Sequence, residues 1–115
     1  MKMTPLNSAL LLLTLCGMPR LAAAATYDNV AVVDVNCSKK AVADPDAHTR
    51  DCALKCASSG FGIVTKDQQF IKFDAAGNAK VIDALKASSK KDHLRVDVDG
   101  ELQGDTLKVS SIKLL

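Results

Sequence analysis

The stretch Leu94-Arg95-Val96-Asp97-Val98-Asp99-Gly100-Glu101-Leu102-Gln103-Gly104-Asp105-Thr106-Leu107-Lys108-Val109 decides the reading of this chain. Leu94, Val96 and Val98 alternate with Arg95, Asp97 and Asp99. Successive side chains of a strand point to opposite faces, so this run predicts a strand with one dry and one wet face. Leu102 keeps the same phase. A turn centred on Gly104-Asp105 sets Leu102 opposite Leu107, with Val109 following on the dry side, and the whole is a long β-hairpin. Beyond it the apolar phase moves from Leu107 and Val109 to Ile112 and Leu114, and Ser110-Ser111 is the place for a bulge that absorbs the extra residue.

Upstream of the hairpin, Val81, Ile82 and Leu85 fall at helical spacing and predict a short helix over residues 79–88, after a turn at Asp74-Ala75-Ala76-Gly77-Asn78. Two short apolar runs, Gly62 to Thr65 and Gln69 to Phe73, flank Lys66-Asp67-Gln68 and read as a second hairpin. Before them, Asp44-Pro45-Asp46 has the composition of a helix start and Gly60 that of a stop. Between these, Cys52, Ala53, Cys56 and Ala57 form an apolar stripe at 100° per residue. Val30-Ala31-Val32-Val33-Asp34-Val35, bounded by Asn29 and Asn36, is a β-branched, mostly buried strand. The sum is a β-rich α+β domain: a small five-stranded, OB-like antiparallel barrel with one or two short helices.

The chain has 115 residues and a formal net charge of +2. Its start carries Lys2, the apolar run Leu10-Leu11-Leu12-Leu13-Thr14-Leu15, and then Leu21-Ala22-Ala23-Ala24-Ala25. That order predicts a cleavable secretory leader over residues 1–25, with an A-x-A site at Ala23 and Ala25 and one domain over residues 26–115. The leader's apolar core is about ten residues, against about 20 for a membrane-crossing helix, so no membrane span is expected in the mature chain. Acylation at Cys16 is disfavoured by the bulky Leu15 before it. The expected location is the periplasm or the extracellular medium. The leader takes Lys2 and Arg20 with it, and the basic residues left behind balance the 13 acidic ones. A neutral surface without Trp, whose aromatics are only Tyr27, Phe61, Phe70 and Phe73, argues against nucleic acid as a partner. An unidentified small ligand or a protein of the cell envelope fits better.

The strand ending in D-x-x-C (Asp34 to Cys37), the spaced His48, the C-x-x-x-C of Cys52 and Cys56, Gly60, and the V-x-V-x-G of Val96 to Gly100 form a pattern. In it the chain resembles small secreted bacterial domains of unknown function with an OB-fold-like barrel, a resemblance that spans most of Val30 to Ile112. It implies the barrel and brings no activity with it.

The chemistry-bearing residues are Cys37, His48, Cys52 and Cys56. On a continuous helix the last three are successive i, i+4 neighbours, and Cys37 joins them from the preceding loop. A Cys3His set has the ligand types of a tetrahedral zinc site, and its thiolates suit monovalent copper as well. His48, in the first helical turn, would be kept neutral by the helix dipole. The competing reading is a disulfide from Cys37 to Cys52 or Cys56, which bracing a small exported domain favours. Cys52 and Cys56 are poor partners for each other, because i, i+4 side chains start about 6 Å apart at Cβ and a disulfide needs about 3.8 Å. Three functions follow: a disulfide-braced binding or structural domain, a Cys3His metal-binding domain, or an exported redox enzyme. No catalytic residue and no organic cofactor site is indicated. Asp97 and Asp99 are the expected wet face of a strand, the serines lack a base at motif spacing, and no glycine run suits a phosphate.

Overall fold

The computed structural model describes residues 23–115; the leader expected over residues 1–25 therefore lies outside the described residues apart from Ala23–Ala25. Five strands, β1 (Ala23–Asp34), β2 (Phe61–Val64), β3 (Phe70–Phe73), β4 (Arg95–Gln103) and β5 (Thr106–Leu114), close into a barrel in the order β1-β2-β3-β5-β4. The C-terminal hairpin has the expected register, with Leu102 opposite Leu107. The bulge also falls where the phase change placed it: Asp99 pairs with Ser111 and Gly100 with Val109, leaving Ser110 as the extra residue. Leu94, Val96, Val98, Leu107 and Val109 are all buried, and Asp99 and Lys108 are exposed.

The barrel is mixed, not wholly antiparallel. β3 and β5 run parallel, pairing Lys72 with Thr106 and Phe73 with Leu107. A parallel pair needs a crossover, and helix α3 (Ala75–Ala87) together with β4 provides it. Helix α3 starts earlier than its apolar spacing indicates, because Asp74 is a cap. Its carboxylate accepts from the Gly77 amide at 3.0 Å and from the Val109 amide at 3.1 Å, fixing the helix start to β5. Val81 and Leu85 then reach the core with Phe61, Ile63 and Phe73. On the outer side of β1, Val33 packs with Val64 and Ala41, and Phe70 lies against them. Strand β1 is thus buried on both faces from Val30 to Asp34.

The segment between β1 and β2 departs most from expectation. In place of the single helix expected from Asp44 to Gly60, the residues between β1 and β2 form a 3-10 turn at Val35–Cys37, a short helix α1 (Ser38–Ala41), a second 3-10 turn at Pro45–Ala47, helix α2 (Arg50–Lys55), and a third 3-10 turn at Ala57–Ser59. His48 interrupts the helix with an extended backbone at ψ 127°. The cause is Thr49, whose hydroxyl accepts from the Cys52 amide at 3.1 Å and begins a new helix there, whereas Asp44 makes no capping bond. Gly60, at φ 87°, ends the segment in a conformation that a side chain would strain. Only Ala53 of the expected stripe is fully buried; Cys52 is exposed.

Three ties hold this insertion on the barrel. Arg95 on β4 grips Asp46 with two bonds of 2.9 Å and donates to the Asn29 carbonyl at 2.8 Å. The Arg50 side chain donates to the Leu85 carbonyl near the end of α3 at 2.7 Å. The backbone of Arg50 donates to Lys91, and that of His93 to Asp46. Among the described residues no helix is long and apolar enough to cross a membrane.

Candidate metal centre

Asp34 is the last residue of β1 and, among the described residues, the only charged side chain that is fully buried. An ionised carboxylate in that position needs partners, because desolvation is costly. It has two. Oδ2 accepts from the Cys37 amide at 3.0 Å, capping the 3-10 turn that carries Cys37. Oδ1 lies 2.5 Å from His48 Nε2. The extended backbone at His48 is what lets its ring reach across the insertion, and the imidazole is 8% exposed.

The ligand atoms of Asp34, Cys37 and His48 all lie within 4.8 Å of one another. Donors around one tetrahedral zinc sit about 3.5 Å apart, so small side-chain rotations convert this cluster into a coordination site. The Asp34–His48 contact is shorter than two ligands of one ion would keep. A metal would take the place of the proton they share and push the pair apart by about 1 Å.

Of the four residues expected to form the centre, Cys37 and His48 are brought together and Asp34 joins them. Cys52 lines the same depression of about 310 Å³ as Cys37 and His48, at the first turn of α2. Cys56 is not in this group: it is the C-cap of α2, where its sulfur accepts from the Asn36 side-chain amide at 3.6 Å. Among the described residues the grouped donors are thus Asp34, Cys37 and His48 with Cys52 beside them, because the break at His48 removes the common helix face. The dipole argument for a neutral His48 falls with it. No disulfide joins Cys37 to Cys52 or Cys56 here: all three cysteines are free thiols. Asp34 was readable in the sequence as a carboxylate at the end of an otherwise apolar strand, three residues before Cys37.

Burial pushes the Cys37 thiol above its usual range; negative charge at Asp34 and Cys56 adds to this, as do a hydrogen bond with Asp34 and the charge of Cys52. His48 Nε2 is engaged by Asp34. The arrangement is thus not that of an activated cysteine nucleophile, which needs a lowered thiol pKa or an adjacent free base. It is an assembly of one oxygen, one sulfur and one nitrogen donor around a common point. A separate concavity of about 410 Å³ lies at the far end of β1 and β4 beside Thr26, Asp99, Glu101 and Lys108, with no histidine or cysteine in its lining.

No protein-family model, curated protein or solved structure matches the chain.

Proposed function

We propose that the chain is an exported OB-like domain that binds a transition metal at Asp34, Cys37 and His48, with Cys52 positioned to add a fourth ligand. The observation that carries this is the buried Asp34 carboxylate held against His48 Nε2, with the Cys37 sulfur completing the group. A mixed oxygen, nitrogen and sulfur set favours divalent zinc. Monovalent copper prefers sulfur and would make little use of Asp34. The insertion presents the donors, and the barrel fixes two of their anchors: the end of β1 and, through Arg95, the turn before His48.

Zinc titration of the reduced protein tests the reading. Cys37→Ala and His48→Ala should each lower zinc affinity at least about tenfold, and saturating zinc should raise the melting temperature of the unaltered protein. At a free zinc concentration about 100 times the Kd, that stabilisation is about 2.7 kcal/mol. Zinc uptake that is equal in all three proteins removes the site.

A further inference from the structure

The insertion holds a third thiol that the metal group does not use. Its backbone folds residues 35–36 alongside residues 56–60: the Val35 amide donates to the Gly60 carbonyl at 2.8 Å, and the Asn36 amide donates to the Ser59 hydroxyl at 3.1 Å. Within that pairing the Asn36 side chain donates to Cys56 Sγ, so the Cys56 sulfur touches the residue immediately before Cys37. Cys52 is placed differently, exposed and facing the depression it shares with His48. Cys37 therefore has two alternative partners, the donors Asp34 and His48 with which it is grouped, and the thiol of Cys56 beside its chain neighbour Asn36.

We infer that Cys37 is the shared sulfur of a redox gate: reduced, it is a metal ligand; oxidised, it is bonded to Cys56 and the metal leaves. This rests on the metal-binding reading above and adds its regulation. The oxidant is a protein disulfide or a small one such as oxidised glutathione. The Cys56 thiolate, its sulfur held by the Asn36 amide, attacks one sulfur of that disulfide, breaking the S–S bond and releasing one thiolate. The Cys37 thiolate then attacks the Cys56 sulfur of the mixed disulfide and expels the second thiolate. In the zinc-loaded protein the Cys37 sulfur is already a thiolate, so its bond to the metal breaks and the zinc ion passes to solvent; the two protein sulfurs are oxidised to one disulfide, the external disulfide is reduced to two thiols, and of the two protons those thiols take up one comes from Cys56 and one from solvent. The sulfur of Cys37 is no longer an anionic ligand, and Asp34 and His48 close on each other again. Cys52 and Cys56 do not form the alternative bond, because their i, i+4 spacing on α2 holds the β-carbons about 6 Å apart.

The test equilibrates the zinc-loaded protein in glutathione buffers of graded oxidation and measures bound zinc and cysteine connectivity at each step. Zinc should be lost in proportion to the Cys37–Cys56 disulfide, with affinity at least about tenfold lower once it has formed, and a phosphine reductant should restore it. Cys56→Ser should keep its zinc throughout the series. The reductant arm uses only the unaltered protein, so it decides the matter even if that variant folds poorly. Reduced protein that takes up no zinc overturns the metal reading and the gate with it. Reduced protein that binds zinc but forms no Cys37–Cys56 bond, or keeps its zinc once that bond has formed, overturns the gate alone.

Discussion

Asp34 has three jobs that no other residue of β1 could share: it ends a buried strand, caps the turn bearing Cys37, and fixes the His48 ring. Replacing it with Asn keeps the size but leaves one acceptor oxygen for two partners and turns a donor NH2 toward the other. The same residue acts on the thiol. Negative charge from Asp34 adds to burial in keeping the Cys37 proton in place, while Cys52 is open to solvent. Thiolates, not thiols, react with iodoacetamide. Cys52 should accordingly be alkylated well before Cys37 at neutral pH, and Cys37 labelling should climb as the pH is raised; peptide mapping of a time course would show the reverse order if the Cys37 environment is misread. Asp34→Asn should bring Cys37 labelling to lower pH. In the sequence this carboxylate is visible at the strand end but not its place in the site, since a charge there reads equally well as a simple boundary and only the tertiary path of His48 gives it a second partner.

The β4–β5 hairpin and the insertion between β1 and β2 were not equally readable. Period-two alternation from Leu94 to Val109 has one consistent solution, because shifting it by one residue would turn Val96 and Leu107 outward, and even the extra residue at Ser110 follows from the phase. The insertion holds competing local signals. Asp44 and Thr49 are both good caps, and the choice falls to contacts remote in sequence: Arg95 takes Asp46, and Asp34 takes His48. The Arg95–Asp46 clasp has a pH signature. The hydrogen bond from Arg95 holds the Asp46 carboxyl below its usual range, so its stabilisation is fully present above the ordinary carboxylate pKa of about 4 and is lost as pH falls through the lowered folded value. Both side chains are about one third exposed, which keeps the effect near or below about 1 kcal/mol. Denaturant melts at neutral and acid pH should show Arg95→Ala destabilising more at the first than at the second, where only its bond to the Asn29 carbonyl is still to be lost. Helix α3 offers a sharper test. A β-carbon on Gly77 would lie 2.5 Å from Val109 Cγ2 and 2.9 Å from Phe73 Cβ. Gly77→Ala, an improvement in helix propensity, should still destabilise by about 1 to 3 kcal/mol in urea unfolding, because the helix must move off β5.

At the level of the whole molecule, the barrel is closed by β1, which pairs with β2 on one side and β4 on the other. The β1–β4 ladder runs past the bulge between Tyr27 and Val30 and on to Ala25 opposite Gly100, Ala24 opposite Glu101 and Ala23 opposite Leu102. Those alanines coincide with the A-x-A stretch on which the exported reading places leader cleavage, and N-terminal sequencing of the exported protein should find a start between Ala24 and Tyr27. A cut after Ala25 would leave β4 bare from Gly100 to Leu102, since the strand that covers it there is the one removed. An uncovered strand edge exchanges its amide hydrogens freely and offers its backbone to any extended chain that fits. Hydrogen exchange across Gly100–Leu102 should then be fast in protein beginning at Thr26 and slow in protein retaining Ala23; equal protection in both would mean another segment has moved in to cover β4. Maturation by such a cut would be more than trimming: it would create a bare ledge on the barrel, ready for a strand from elsewhere.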